Sequence, residues 1–119
     1  MPHALSSEEI EALLAAPDTG TPLGLRDRAM LETLYATGLR VSELVALTVD
    51  RVRLDPGFVR VVGKGRKERL VPLGGAAAEW IERYQLGSRQ ELDRHRALEL
   101  FLNHRGRPLT RQGFWKILR

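Results

Sequence analysis

The sequence contains no cysteine. That excludes disulfides, thiolate chemistry and cysteine zinc sites, and it fits a cytoplasmic protein. It has no apolar run near the about 20 residues that cross a bilayer, so no membrane partner is expected. The opening Met1-Pro2-His3-Ala4 has no charged segment followed by an apolar core, so no secretory signal is expected. Its three histidines, His3, His95 and His104, show no metal-ligand spacing. No cluster of carboxylates could hold paired magnesium ions. Gly63-Lys64-Gly65 lacks the spacing of a nucleotide-binding loop and is not followed by Ser or Thr. No metal, cofactor or small-molecule substrate is therefore expected. Repeats and low-complexity segments are absent too.

What is present reads as globular. Hydrophobic residues make up 43% and charged residues 29% of 119 residues, ordinary values for a packed domain or part of one. The net charge is +4, a mild hint of an anionic partner that gains weight from its distribution. Between Gly63 and Arg69 stand four cations (Lys64, Arg66, Lys67, Arg69) and one anion, Glu68.

Ser6 and Glu9 have capping-box spacing, which predicts a helix carrying Ile10, Leu13 and Leu14. Pro17, Gly20 and Pro22 then predict a loop. A second helix is expected from Leu23 to Thr37, with Met30, Leu31, Leu34 and Tyr35 on its apolar face and Gly38 ending it. A short helix follows over Val41–Leu47. Arg51–Leu54 alternates with period two, Phe58–Val62 is rich in β-formers and Arg69–Leu73 reads as a third strand, with turns at Asp55-Pro56-Gly57 and Gly63–Arg66 between them. After a break at Gly74-Gly75, Ala77, Trp80, Ile81 and Tyr84 mark one helix face. Arg89–Leu102 reads as mostly helical, Asn103–Pro108 as a turn, and Thr110 as the cap of a last helix through Phe114, Trp115, Ile117 and Leu118. The fold class is α+β, mainly helical with a three-stranded antiparallel meander. The last helix has no stop signal before Arg119, and the chain reads as part of a larger domain.

Two stretches carry a resemblance. Thr37-Gly38-Leu39-Arg40-Val41-Ser42-Glu43-Leu44 resembles the first catalytic-arginine motif of the tyrosine recombinase (phage integrase) family. Val62-Gly63-Lys64-Gly65-Arg66-Lys67-Glu68-Arg69-Leu70-Val71-Pro72-Leu73 resembles the hairpin that carries the family's catalytic lysine. Lys64 follows Arg40 by 24 positions, across a strand and turn as in the family. The wording is nearest to the bacterial Xer recombinases.

The resemblance implies a fold and a chemistry. Residues 1–119 would be the N-terminal half of a catalytic domain, with the core-binding domain and the C-terminal half outside it. A tyrosine would attack the scissile phosphate to form a 3′-phosphotyrosyl link. Two arginines would steady the phosphate, and a lysine would help the 5′-oxygen leave. Four protomers would act together on double-stranded DNA, without a metal.

On this sequence Arg40 is the phosphate-gripping arginine. Its planar fork matches two phosphate oxygens and stays protonated. It also precedes a helix, whose free N–H groups favour an anion nearby. The plainer alternative is a solvated Arg40 paired with Glu43 one turn on. Glu43 is assigned to supporting Arg40 or the local fold. Lys64, between two glycines at a hairpin tip, is the proton donor to the leaving oxygen; its alternative is a merely basic turn. Arg66, Lys67, Arg69 and Arg111 are taken as DNA contacts.

The nucleophile has no candidate in this sequence. Tyr35 and Tyr84 both fall on apolar helix faces and read as core, and neither matches the family's tyrosine motif. Trp80, Phe114 and Trp115 also read as core. His104-Arg105-Gly106-Arg107 matches the family's His-x-x-Arg box in spelling, but Gly106 and Pro108 place it in a turn. Isolated strand cleavage is therefore not expected. Two other functions stay open: a DNA-binding-only relative or regulator, and a small interaction module with no nucleic-acid role.

Overall fold

The computed structural model describes residues 6–118; His3, the opening four residues and Arg119 lie outside them. Within that range the elements run α1 (Ser7–Ala15), α2 (Pro22–Thr37), α3 (Val41–Ala46), β1 (Val52–Arg53), β2 (Phe58–Val62), β3 (Glu68–Pro72), α4 (Gly74–Leu86), α5 (Ser88–Leu92) and α6 (Arg111–Ile117). The α+β class and the meander are as the patterning predicts.

Local chemistry sets the helix boundaries. Ser6 Oγ accepts from the Glu9 amide at 3.1 Å and Glu9 returns the bond to the Ser6 amide at 2.9 Å, a full capping box. Pro22, expected in the loop, instead opens α2. Thr21 caps that helix through the Gly24 amide, and proline suits a first turn whose N–H groups have no helical partner. Gly38 ends α2 at φ 66° with its N–H on the Leu34 carbonyl.

The sheet has order β1-β2-β3, antiparallel throughout, with Val59 facing Val52 on one side and Val71 on the other. Val59 and Val61 point into the core while Phe58, Arg60 and Val62 are half-buried, the alternation of a sheet covered on one face. Two strands differ from expectation. Arg51 belongs to a 3-10 turn and β1 keeps only two residues, while β3 starts one residue early at Glu68.

α2 crosses the molecule and packs against α4 and α5. Met30, Leu44, Val59, Leu73, Ile81, Tyr84, Leu100, Phe101, Leu102 and Phe114 are fully buried together. Burying each such side chain is favourable by about 1.5–3 kcal/mol. Two charged residues are buried as well: Arg26 donates to the Leu102 carbonyl at 3.0 Å and pairs with Asp27, and Glu32 accepts from Arg28.

The main departure is at 89–102. The helix α5 stops at Leu92, and the following segment is irregular, bridging Thr48 through Glu99. Arg89 explains the change. Its guanidinium donates to the carbonyls of Ala97, Glu99 and Leu100 at 2.8–3.1 Å and lies 3.5 Å from Asp93. Asp93 in turn accepts from the Ala97 amide. Side chains thus satisfy backbone groups that a helix would have paired, and Leu100-Phe101-Leu102 enters the core as a run.

Three aromatic assignments also change. Tyr35 is 61% exposed, because it lies roughly 200° around α2 from buried Thr33. Trp115 is 49% exposed, beside buried Phe114. Trp80 sits at the margin of the core, its ring flanked by the guanidiniums of Arg28 and Arg83 at 4.5 and 4.8 Å.

Candidate functional site

Arg40 stands immediately before α3 with extended backbone (φ −70°, ψ 150°), and its side chain is exposed. An arginine side chain has no acceptor, so it cannot cap the helix. Instead its own amide donates to Glu43 Oε1 at 3.0 Å. Only the return half of a capping box is made, and the Arg40 guanidinium takes part in none of the ion pairs among the described residues. The Arg40–Glu43 side-chain pair weighed above is therefore not the one that forms.

Glu43 turns to the hairpin. Arg69 Nη1 donates to Glu43 Oε2 at 3.0 Å and Nη2 donates to Oε1 at 3.1 Å, a two-pronged fork on one carboxylate. The Arg69 hydrogen bond, followed by the Arg40 amide, holds the Glu43 carboxyl below its usual value, and the same bond raises Arg69. Arg69, expected among the DNA contacts, thus has its guanidinium engaged inside the chain.

The hairpin tip is a tight 3-10 turn over Lys64–Arg66. Gly65 and Arg66 have left-handed φ of 74° and 62°. The Gly63 amide donates to the Lys67 carbonyl at 2.8 Å and the Arg66 amide to the Gly63 carbonyl at 3.2 Å. A left-handed arginine costs of order 1 kcal/mol. Lys64, Arg66 and Lys67 are all exposed. A Cβ added to Gly63 would lie 3.5 Å from Arg69 Nη1 and 4.0 Å from Glu43 Oε2. One run of contacts therefore links the Arg40 amide, Glu43, Arg69 and Gly63, with Lys64 next in the chain. Arg111 is exposed in the first turn of α6, a helix that packs on α3.

The remaining residues are kept apart from this cluster. Tyr84 is buried; its hydroxyl donates to the Leu100 carbonyl at 2.8 Å and accepts from the Leu102 amide at 3.2 Å. Burial pushes its phenol up to about 12. His104 and Arg107 are exposed in a turn that Asn103 organises by accepting from the Arg105 and Arg107 amides. Among the described residues no group of three His, Cys, Asp or Glu side chains comes together to hold a metal. Sequence reading missed the Glu43–Arg69 pair. Opposite charges at both positions were the only available signal, and 26 residues separate them.

Sequence and fold both resemble those of known recombinases. The family model described as phage integrase family matches residues 3–119. The chain is 53% identical to tyrosine recombinase XerD of Listeria monocytogenes over 121 residues, covering all of this chain and 41% of that protein. To tyrosine recombinase XerD of Pseudomonas putida it is 57% identical over 116 residues, covering 97% of this chain and 39% of that one. The chain thus spans about two fifths of the length of these curated relatives. Among solved structures, a crystal structure of XerA recombinase superposes with TM-score 0.83 at 28% identity, covering 98% of this chain and 41% of that one. The XerH site-specific recombinase bound to difH substrate in a pre-cleavage complex gives TM-score 0.75 at 28% identity, over 92% of this chain and 33% of that one.

Proposed function

The chain belongs to the phage integrase family, and from that premise we propose that it supplies one arginine and one lysine to the active site of a site-specific tyrosine recombinase acting on double-stranded DNA. One observation carries the proposal. The family's arginine and lysine motifs, 24 positions apart in sequence, are joined through Glu43 and Arg69 into one exposed cationic cluster. Arg40 has a guanidinium outside every ion pair among the described residues, and Lys64 heads a tip that also presents Arg66 and Lys67.

The chemistry follows from these groups. A tyrosine oxygen attacks phosphorus while the bond to the 5′-oxygen breaks. Negative charge grows on the nonbridging oxygens, and the fork of Arg40 is built to receive it. The departing 5′-oxygen takes a proton, which Lys64 can give. Arg66, Lys67 and Arg111 hold phosphates and set register without reading bases. Tyr84 is not the attacking group, because its hydroxyl is buried and doubly bonded. Further protomers of the recombinase complete the assembly, and residues 1–119 are part of its catalytic domain.

Titrating the chain with duplex DNA at several salt concentrations tests the interface. Affinity should fall steeply with salt, with a log–log slope near −0.9 per phosphate neutralised. Replacing Arg66 or Lys67 by Ala should each reduce the slope by about 0.9. No binding even at low salt would sink the reading in favour of an interaction module.

A further inference from the structure

We infer that the Glu43–Arg69 pair is a clasp. It ties the element presenting Arg40 to the hairpin presenting Lys64, so Arg69 is a positioning residue and not a phosphate contact. The inference rests on the roles proposed for Arg40 and Lys64, and it deepens them.

The geometry separates this from an ordinary surface ion pair. The Glu43 side chain is only 14% exposed, against 50% for Arg69. Its two oxygens serve three donors: Oε1 takes the Arg40 amide and Arg69 Nη2, and Oε2 takes Arg69 Nη1. The bond to the Arg40 amide fixes the backbone from which the Arg40 side chain springs. The bonds to Arg69 fix β3 where it leaves the tip. Gly63, at the β2 side of the same tip, is closed against Lys67 and abuts the pair. The β2–β3 ladder continues the restraint, since Val61 faces Arg69 and Val62 faces Glu68. The pair thus couples the base of the hairpin tip to the start of α3. Arginine suits this duty because its planar fork fixes direction as well as distance, whereas a lysine ammonium supplies a point charge. The carboxylate takes one N–H from each terminal nitrogen of Arg69, so the fork is aimed at Glu43.

The two roles predict opposite outcomes in the same assays. Glu43→Gln removes a negative charge beside the cationic cluster, so charge alone would tighten DNA binding. The clasp predicts the reverse: affinity about threefold weaker, with an unchanged salt slope. Arg69→Gln should weaken binding equally, again without changing the slope, and the double variant should be no worse than either single one. A phosphate contact would instead lose about 0.9 from the slope in Arg69→Gln and would be restored by Arg69→Lys. That pattern, or tighter binding by Glu43→Gln, overturns the clasp.

A second measurement needs no DNA. Amide spectra of the Glu43→Gln chain should show displaced resonances and faster hydrogen exchange at Gly63, Arg66 and Lys67, with α4 unaltered as proof of folding. Resonances of the hairpin unmoved by Glu43→Gln would end the inference even if DNA binds. Displaced resonances without any DNA binding would keep the clasp and remove the proposed function. Should Glu43→Gln fail to fold, Arg69→Lys, read at the Arg40 amide, decides in the same way.

Discussion

At the scale of single residues, burial and bonding distinguish roles that residue type leaves open. Arg40 is tied into the chain through its backbone alone, its amide donating to Glu43 and its carbonyl accepting from the Leu44 amide. Arg40→Ala should therefore change stability by no more than about 0.5 kcal/mol, measured by urea unfolding, while weakening DNA binding. A larger loss of stability would return Arg40 to a structural role. Glu43 behaves differently with pH. Its folded value is depressed from 4.5. Its contribution to stability is thus complete above about 4.5 and is lost as pH falls through the lower folded value. A carboxyl titration by NMR should place the Glu43 midpoint below 4.5, and Arg69→Gln should move it upward. Tyr84, with its phenol at about 12 and two backbone bonds, is a core residue. Tyr84→Phe should cost about 1–3 kcal/mol, because the buried Leu102 amide loses its acceptor.

At the scale of elements, the segment after α5 shows one side chain overriding a helical pattern. Arg89 gathers three carbonyls, and Gly106 anchors the turn that follows. Gly106 has φ 79°, and a Cβ there would fall 2.3 Å from the Leu92 carbonyl oxygen. The turn can thus lie against the end of α5 only with glycine at that position. Arg89→Ala should lower stability by about 2–4 kcal/mol, and Gly106→Ala by at least about 2 kcal/mol. Thermal unfolding reads both. Wild-type stability in Gly106→Ala would contradict the close approach. The spelling His104-x-x-Arg107 is thereby explained by its architecture: Asn103 and Gly106 make the turn, and the two charged side chains project from it.

At the scale of the whole molecule, the charge excess is less informative than its placement. The described surface joins Arg40, Lys64, Arg66 and Lys67 near one ion pair, while Arg26, Arg28 and Arg89 are occupied by internal partners. Mixing these 119 residues with a nicked recombination site should yield no covalent protein–DNA adduct on a denaturing gel. An adduct abolished by Tyr35→Phe would show that this exposed tyrosine attacks phosphate and would overturn the assignment of roles.

Patterning alone was enough for the capping box at Ser6, the αL stop at Gly38, the β-formers of β2 and the two motifs that carry the family. Each depends on residues a few positions apart, and local sterics and hydrogen bonding act at that range. Tertiary structure decided the rest. Tyr35 and Trp115 lie outside the core because neighbouring elements cover only one side of their helices. The 93–102 segment is irregular because Arg89 and Asp93 capture its backbone. Glu43 belongs with Arg69 because the β2–β3 hairpin folds back beside α3. Which carboxylate meets which guanidinium is a matter of distance in space, and no spacing along the chain encodes it.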